Sequence, residues 1–298
     1  MNRRQAILTG AAMPLATLTP MAARAQDAPP PALSRSLTLG SFRVTALLAG
    51  SQASEPVGTF ALNAAPEDFE AFAAENFLPA DRAMSYYTPV LVETGTEVIL
   101  FDTGANSAGL LAALEAAAID PASITTVVIT HMHGDHIGGL SDGGTLTFPN
   151  ANLVTGRVEM EHWIGAGNET FDAKVRPLAD EFTLLDGDGE VAPGITAIEA
   201  FGHSPGHMAF DLQSEGQRLI LTADTANHYA FSLGRPDWEV RFDMDKPAAI
   251  ATRKRIFGMI ADERLPFIGY HMPFPAVGYV ARDGDNFRYM PATYQFDL

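Results

Sequence analysis

Two rhythms of apolar positions run along the chain. The first is short and strand-like. Residues 88–104, TPVLVETGTEVILFDTG, set two apolar runs around a Thr-Gly-Thr-Glu turn, which predicts a hairpin. Residues 124–130, ITTVVIT, are an unbroken β-branched run, the pattern of a buried strand. Further strands are predicted over 195–200, 208–213, 218–224 and 265–271, with Ser-Glu-Gly-Gln turning between the second and third. Residues 278–291 read as a hairpin closed around Asp-Gly-Asp-Asn.

The second rhythm is helical. Residues 106–120 are rich in alanine and leucine, start on Asn-Ser and stop before Pro121. Residues 156–165 predict a short helix, and residues 246–263 a long amphipathic one with a proline at its start. Strands mixed with helices define an α/β chain, and from about Leu37 to the end the punctuation is that of one continuous domain, residues 36–298. Several predicted strands run straight into residues of chemical interest, and strand ends project into loops at one rim of a sheet.

The densest case is HMHGDH at 131–136, directly after the 124–130 strand. The chain has only eight histidines, and three of them sit here around one aspartate. Extended residues alternate faces, so His131 and His133 point the same way as the strand ends. Gly134 lets the chain turn, and Asp135 and His136 face a slightly different direction. Two nitrogens thus converge on one point, and a carboxylate and a nitrogen on its neighbour. More donors follow at later strand ends: His203 and His207 in FGHSPGH, Asp224 in LTADT, His271 in GYHMPFP. Each alone reads as an ordinary polar residue; together they predict a metal site.

Composition narrows the chemistry. No cysteine occurs, so any ligand field is nitrogen and oxygen, which suits zinc, with manganese, cobalt or iron possible in the same cage. A net charge of -17 argues against nucleic acid and anionic membrane surfaces as partners. The first residues differ from the rest. Arg3 and Arg4, a mildly apolar stretch and Ala23-Arg24-Ala25 have the layout of a cleaved export signal, residues 1–25, of the twin-arginine type. Its roughly 14 apolar-leaning residues are too few for a stable membrane anchor. A proline-rich tether follows over 26–35, and the expected location is periplasmic or secreted.

HMHGDH matches the HxHxDH motif of the metallo-β-lactamase superfamily, and FDTG at 101–104 resembles a strand-end element of that family. The resemblance covers roughly 85–298 and implies a four-layer αββα sandwich of the metallo-β-lactamase type. The segments GHSPGHMAFDLQSEGQRLILTADT and YHMPFPAVGYVARDGDNFRYMPATY look most like the branch containing methyl parathion hydrolase. Carried over by position, the resemblance gives one metal to His131, His133 and His203 and the other to Asp135, His136 and His271. Asp224 bridges the two, and Asp102 supports them from outside the ligand set. His207 is then a supporting residue, His162 a helix-surface residue, and His228 a candidate for the pocket wall.

Two divalent ions, with zinc expected, imply hydrolysis by a metal-bound hydroxide, with Asp135 and Asp224 as the acidic members of the catalytic centre. The expected substrate is small, uncharged and ester-like, a lactone or an aryl phosphotriester. Loops 76–87, 161–165, 227–239 and 271–275 are expected around it, with Phe77, Tyr86, Tyr87, Trp163, Phe231 and Phe274 as candidate wall residues, half of them expected in core packing. Related lactonases place a tyrosine shortly after the bridging aspartate, where ADTANHY has Asn227 and His228, with Tyr229 one position later. A β-lactamase is the nearest alternative, then a thioesterase, which the lack of a basic cluster near the C-terminus disfavours. A diiron redox protein or a non-catalytic metal-binding protein are alternatives of another class. A homodimer is compatible with all of these.

Overall fold

The computed structural model describes residues 32–296, so the export signal and most of the tether lie outside the described residues. The end of the tether does not. The strand Ser34–Leu39 begins inside it and pairs antiparallel with Phe42–Leu47. Leu37 and Leu39 alternate with polar residues and bury between two sheets, so the folded body starts before its composition announces it.

Two seven-stranded sheets form the body, and in each the strands lie side by side in chain order. The first runs Ser34–Leu39, Phe42–Leu47, Val90–Glu93, Val98–Phe101, Thr126–Ile129, Asn152–Gly156 and Phe182–Leu185. The second runs Glu190–Ala192, Ile195–Glu199, Met208–Ser214, Gln217–Ala223, Phe267–Gly269, Val277–Asp283 and Asn286–Pro291. Parallel neighbours need a crossover, and helices supply it. Ser107–Ala116 leads from Val98–Phe101 to Thr126–Ile129, Arg157–Ala166 from Asn152–Gly156 towards Phe182–Leu185, and Lys246–Glu263 from Gln217–Ala223 to Phe267–Gly269.

Alternation along the first sheet divides its side chains between two cores. Val90, Val92, Ile99, Phe101, Val128 and Val154 face the second sheet. Leu91, Leu100, Val127, Ile129 and Leu153 face the helices Ser107–Ala116 and Arg157–Ala166. That double burial is why 124–130 reads as a continuous apolar run. Lys246–Glu263 covers the far face of the second sheet, burying Ala249, Arg253, Ile256, Phe257 and Ile260 at helical spacing. Asp245 starts this helix by accepting the Ala248 amide, and Arg264, in the left-handed region, ends it. The layers are helix, sheet, sheet, helix, as expected.

The Lys246–Glu263 helix and the terminal hairpin fall where the pattern places them. The predicted 265–271 strand shrinks to Phe267–Gly269, because the chain turns immediately afterwards to present His271. Residues 76–87 are only partly loop: Ala83–Tyr87 pairs with Gly50–Ser54 in a separate two-stranded ribbon. Among the described residues no helix is long and apolar enough to cross a membrane.

Candidate metal centre

All seven donors collect at one rim, where the carboxyl ends of Thr126–Ile129, Gln217–Ala223 and Phe267–Gly269 open beside the loop after Ile195–Glu199. His131, His133 and His203 form one group and Asp135, His136 and His271 another, while Asp224 groups with His131 and His136. In the first group His133 Nδ1 lies 3.0 Å from His131 Nε2 and 2.9 Å from His203 Nε2. In the second, Asp135 Oδ2 is 3.5 Å from His271 Nε2 and 3.9 Å from His136 Nε2. Asp224 reaches both: its Oδ2 is 3.2 Å from His203 Nε2 and 2.9 Å from His271 Nε2, its Oδ1 3.2 Å from His136 Nε2. The sequence-derived donor set is therefore assembled in full.

Two observations test whether this set fits metal ions. His136 Nε2 and Asp224 Oδ1 are closed off from solvent and face each other at 3.2 Å without a well-aligned hydrogen bond to any group, a costly arrangement unless something else binds them. Three imidazole nitrogens also converge on one point. The donors are all nitrogen and oxygen with histidine in the majority, which suits a divalent transition ion in each set. The residues fit two ions.

The outward nitrogens are held from behind. His136 Nδ1 donates to Asp102 Oδ2 (2.8 Å), and Asp102 also accepts from the Thr130 amide and hydroxyl. His203 Nδ1 donates to Asp243 Oδ1 (2.8 Å) and His271 Nδ1 to the Tyr86 carbonyl (2.8 Å). Such partners fix which nitrogen is left to bind. Burial disfavours charge on His203, but the carboxylates of Asp224 and Asp243 outweigh it and lift the imidazole to about 9. Burial alone would raise Asp224, yet His271 and His136 hold it well below the usual carboxylate range. A cation entering here displaces protons from His136, His203 and His271, which the neighbouring carboxylates hold above the ordinary histidine range, so its affinity rises with pH.

His207 is a supporting residue. Its Nδ1 donates to the Ala200 carbonyl, and its Nε2 accepts the Asp224 amide at 3.0 Å. Burial and the neighbouring His203 push it down to about 3, so it stays neutral and able to accept. The two histidines of GHSPGH should part company on mutation. His203→Ala is expected to empty the first group and remove nearly all activity. His207→Ala is expected to keep metal content near two and slow turnover by roughly 10–100-fold. Metal analysis beside a rate assay checks both, and the reverse pattern would overturn this assignment.

Glu159 has no sequence signal as a site residue. From the buried face of Arg157–Ala166 it accepts four hydrogen bonds: from the Met132 amide, the Trp163 indole, the Ser204 hydroxyl and the Gly206 amide. One carboxylate thus ties the 131–136 turn to the 203–207 turn. Gly206 must be glycine, since a Cβ there would lie 2.1 Å from the Glu159 nitrogen.

Above the donors lies a cavity of about 640 Å³. Its walls include Gln52, Phe60, Tyr87, Asn227, Arg241 and Phe242. Of the six aromatic candidates only Tyr87 lines it. Phe77 is 97% exposed, Trp163 is buried with its indole on Glu159, and Phe231 sits in an aromatic cluster with Phe60, Phe69 and Phe72. Tyr86 contributes its carbonyl to His271, and half-buried Phe274 is not in the wall. His228 is not in the wall either: it stacks on Phe231 and accepts the Ala230 and Phe231 amides. His162 is exposed on its helix, as expected. Arg241 adds a cation to the wall.

Residues 86–266 match the model of the metallo-beta-lactamase superfamily, and the chain belongs to that superfamily. Among curated relatives, an N-acyl homoserine lactonase of Bacillus cereus is 26% identical over 152 residues, covering 50% of this chain and 57% of the relative. The N-acyl homoserine lactonase AttM of Azorhizobium caulinodans is 31% identical over 133 residues, covering 40% and 47%. The chain thus spans about half the length of the curated relatives it matches. Among solved structures, AidC, described as a dizinc quorum-quenching lactonase with bound product, superposes with a TM-score of 0.82 at 24% identity, covering 89% of this chain and 99% of that one. The hydrolase AbOPH gives 0.82 at 22%, with the same coverage. The relatives turn the branch expectation from methyl parathion hydrolase towards lactonases.

Proposed function

We propose that this protein is a hydrolase that uses two divalent metal ions, zinc being the expected pair, to open lactones on small uncharged molecules. The observation that carries the reading is the pair of donor groups joined by Asp224 beneath a 640 Å³ cavity. The lactonase names of the curated relatives support the substrate class. When bound, the ions supply an activated water and polarise the scissile oxygen.

The chain's own residues do the positioning. Asp224 holds the two groups at fixed separation, and Asn227 Nδ2 donates to its Oδ2 at 2.9 Å. No tyrosine occupies that place, but Tyr87 offers a phenol from the cavity wall. Burial, then the charges of Asp135 and Asp224, push this phenol up to about 12, so it stays protonated, and it donates to Gln52 Oε1. Phe60 and Phe242 provide apolar wall for an acyl or ring substituent. Export under the signal at 1–25 would place this activity in the periplasm or outside the cell.

The test is metal analysis of the purified protein followed by a panel of N-acyl homoserine lactones, simple lactones, aryl phosphotriesters and a chromogenic β-lactam. About two ions per chain and preferential lactone turnover, abolished by chelation, are expected. One ion supporting full activity would overturn the two-metal reading. Turnover of phosphotriesters or β-lactams with inert lactones would overturn the substrate class.

A further inference from the structure

Arg253 heads the fully buried side chains by size, and it lies on the long helix behind the second sheet. Its Nε donates to the Thr225 carbonyl (3.1 Å), and its Nη1 to the carbonyls of Pro236 (3.0 Å) and Trp238 (3.2 Å). Its Nη2 donates to Asp243 Oδ2 (2.8 Å), whose other oxygen receives His203 Nδ1. Thr225 follows Asp224 directly, and residues 236–243 include Arg241 and Phe242 of the cavity wall. One guanidinium therefore clamps the loop leaving the bridging carboxylate, the approach to the pocket wall and the partner of a donor histidine.

Stability alone does not account for it. Buried ion pairs are often replaced by apolar residues at no cost. What Met or Leu cannot reproduce is a planar fork that meets several acceptors in fixed directions. Asp243 has two buried partners, Arg253 on one oxygen and His203 on the other, so the direction of the His203 ring depends on where Arg253 holds the carboxylate.

We infer that Arg253 is a positioning residue for the group His131, His133 and His203, acting through Asp243 and not through the group Asp135, His136 and His271. The inference rests on the two-metal reading above. It concerns the residues' competence to bind an ion, so it can be read without any substrate.

Metal-free full-length protein is titrated with cobalt(II) and followed by visible absorption. In a His271→Ala background only the first group remains complete, and in a His203→Ala background only the second. Arg253→Met is expected to weaken cobalt binding about 10–100-fold in the first background and less than about threefold in the second. Arg253→Lys, which keeps the charge and loses the fork, is expected to fall between, and serves in its place if the methionine variant does not fold. Adding Asp243→Asn to Arg253→Met in the first background should cost little more cobalt affinity than either change alone, since the Asp243 carboxylate is the link by which Arg253 reaches His203. Equal losses in the two backgrounds, or none in the first, would overturn the inference. Wild-type uptake of fewer than two cobalt ions would instead overturn the two-metal reading beneath it.

Discussion

Asp224→Asn is expected to lower turnover at least about 100-fold and to leave one ion firmly held instead of two. The substitution preserves size and shape but removes the charge and makes one acceptor a donor. That charge is the one that stands within 3.2 Å of His136, His203 and His271 at once. The new amide would also turn a donor towards Asn227 Nδ2 or towards His136 Nε2. With the second cation weakly bound, water is activated less, so the pH–rate profile should shift to the alkaline side and recover in part with excess metal. Metal content and turnover against pH, on whichever lactone the wild type accepts, check this. An unchanged rate with an unchanged profile would mean that Asp224 does not join the two groups.

Glu159→Ala is expected to cost about 3–5 kcal/mol of folding stability, large for one residue in a protein of this size. Its carboxylate satisfies two backbone amides, an indole and a hydroxyl, and alanine leaves all four buried donors without their acceptor. Glu159→Gln should lose less, because one oxygen remains to accept while the new amide faces donors. Denaturant unfolding of the metal-free proteins measures the difference. A loss below about 1 kcal/mol for alanine would show that water takes over the four bonds.

The donor set was legible in the sequence because its members are rare residue types placed at the ends of apolar runs. Three histidines within six positions need no tertiary information to be noticed, and the strands before His131, Asp224 and His271 carry their own pattern. The supports were not legible. Glu159 and Asp243 belong to a common residue type, and Arg253 lies on a helix whose charges look like those of any solvated face. Their roles arise from burial, which only the packed sheets create. The pocket wall failed for a related reason. Phe77 and Phe242 look alike in sequence, yet the loop bearing Phe77 points into solvent while Thr59 accepts the Arg241 amide and draws its loop to the cavity. The first two strands were missed because their alternation is short and starts inside a proline-rich stretch.

The donors come from both halves of the sandwich. His131, His133, Asp135 and His136 follow a strand of the first sheet, whereas His203, Asp224 and His271 follow strands of the second. Each proposed ion would therefore rivet one half to the other at a single rim, while at the opposite rim the Gly40 and Ser41 amides donate to Gln217 and Ser214 beside ordinary side-chain packing. Cations that bind only the closed sandwich stabilise it in proportion to the logarithm of their concentration over the dissociation constant. Stripping them should loosen the sheets from the rim inward, so backbone amides near residues 131–136 and 203–207 would exchange with deuterated solvent well before those of Val90–Glu93 or Met208–Ser214. Metal supply would then set the protein's lifetime among proteases as well as its rate.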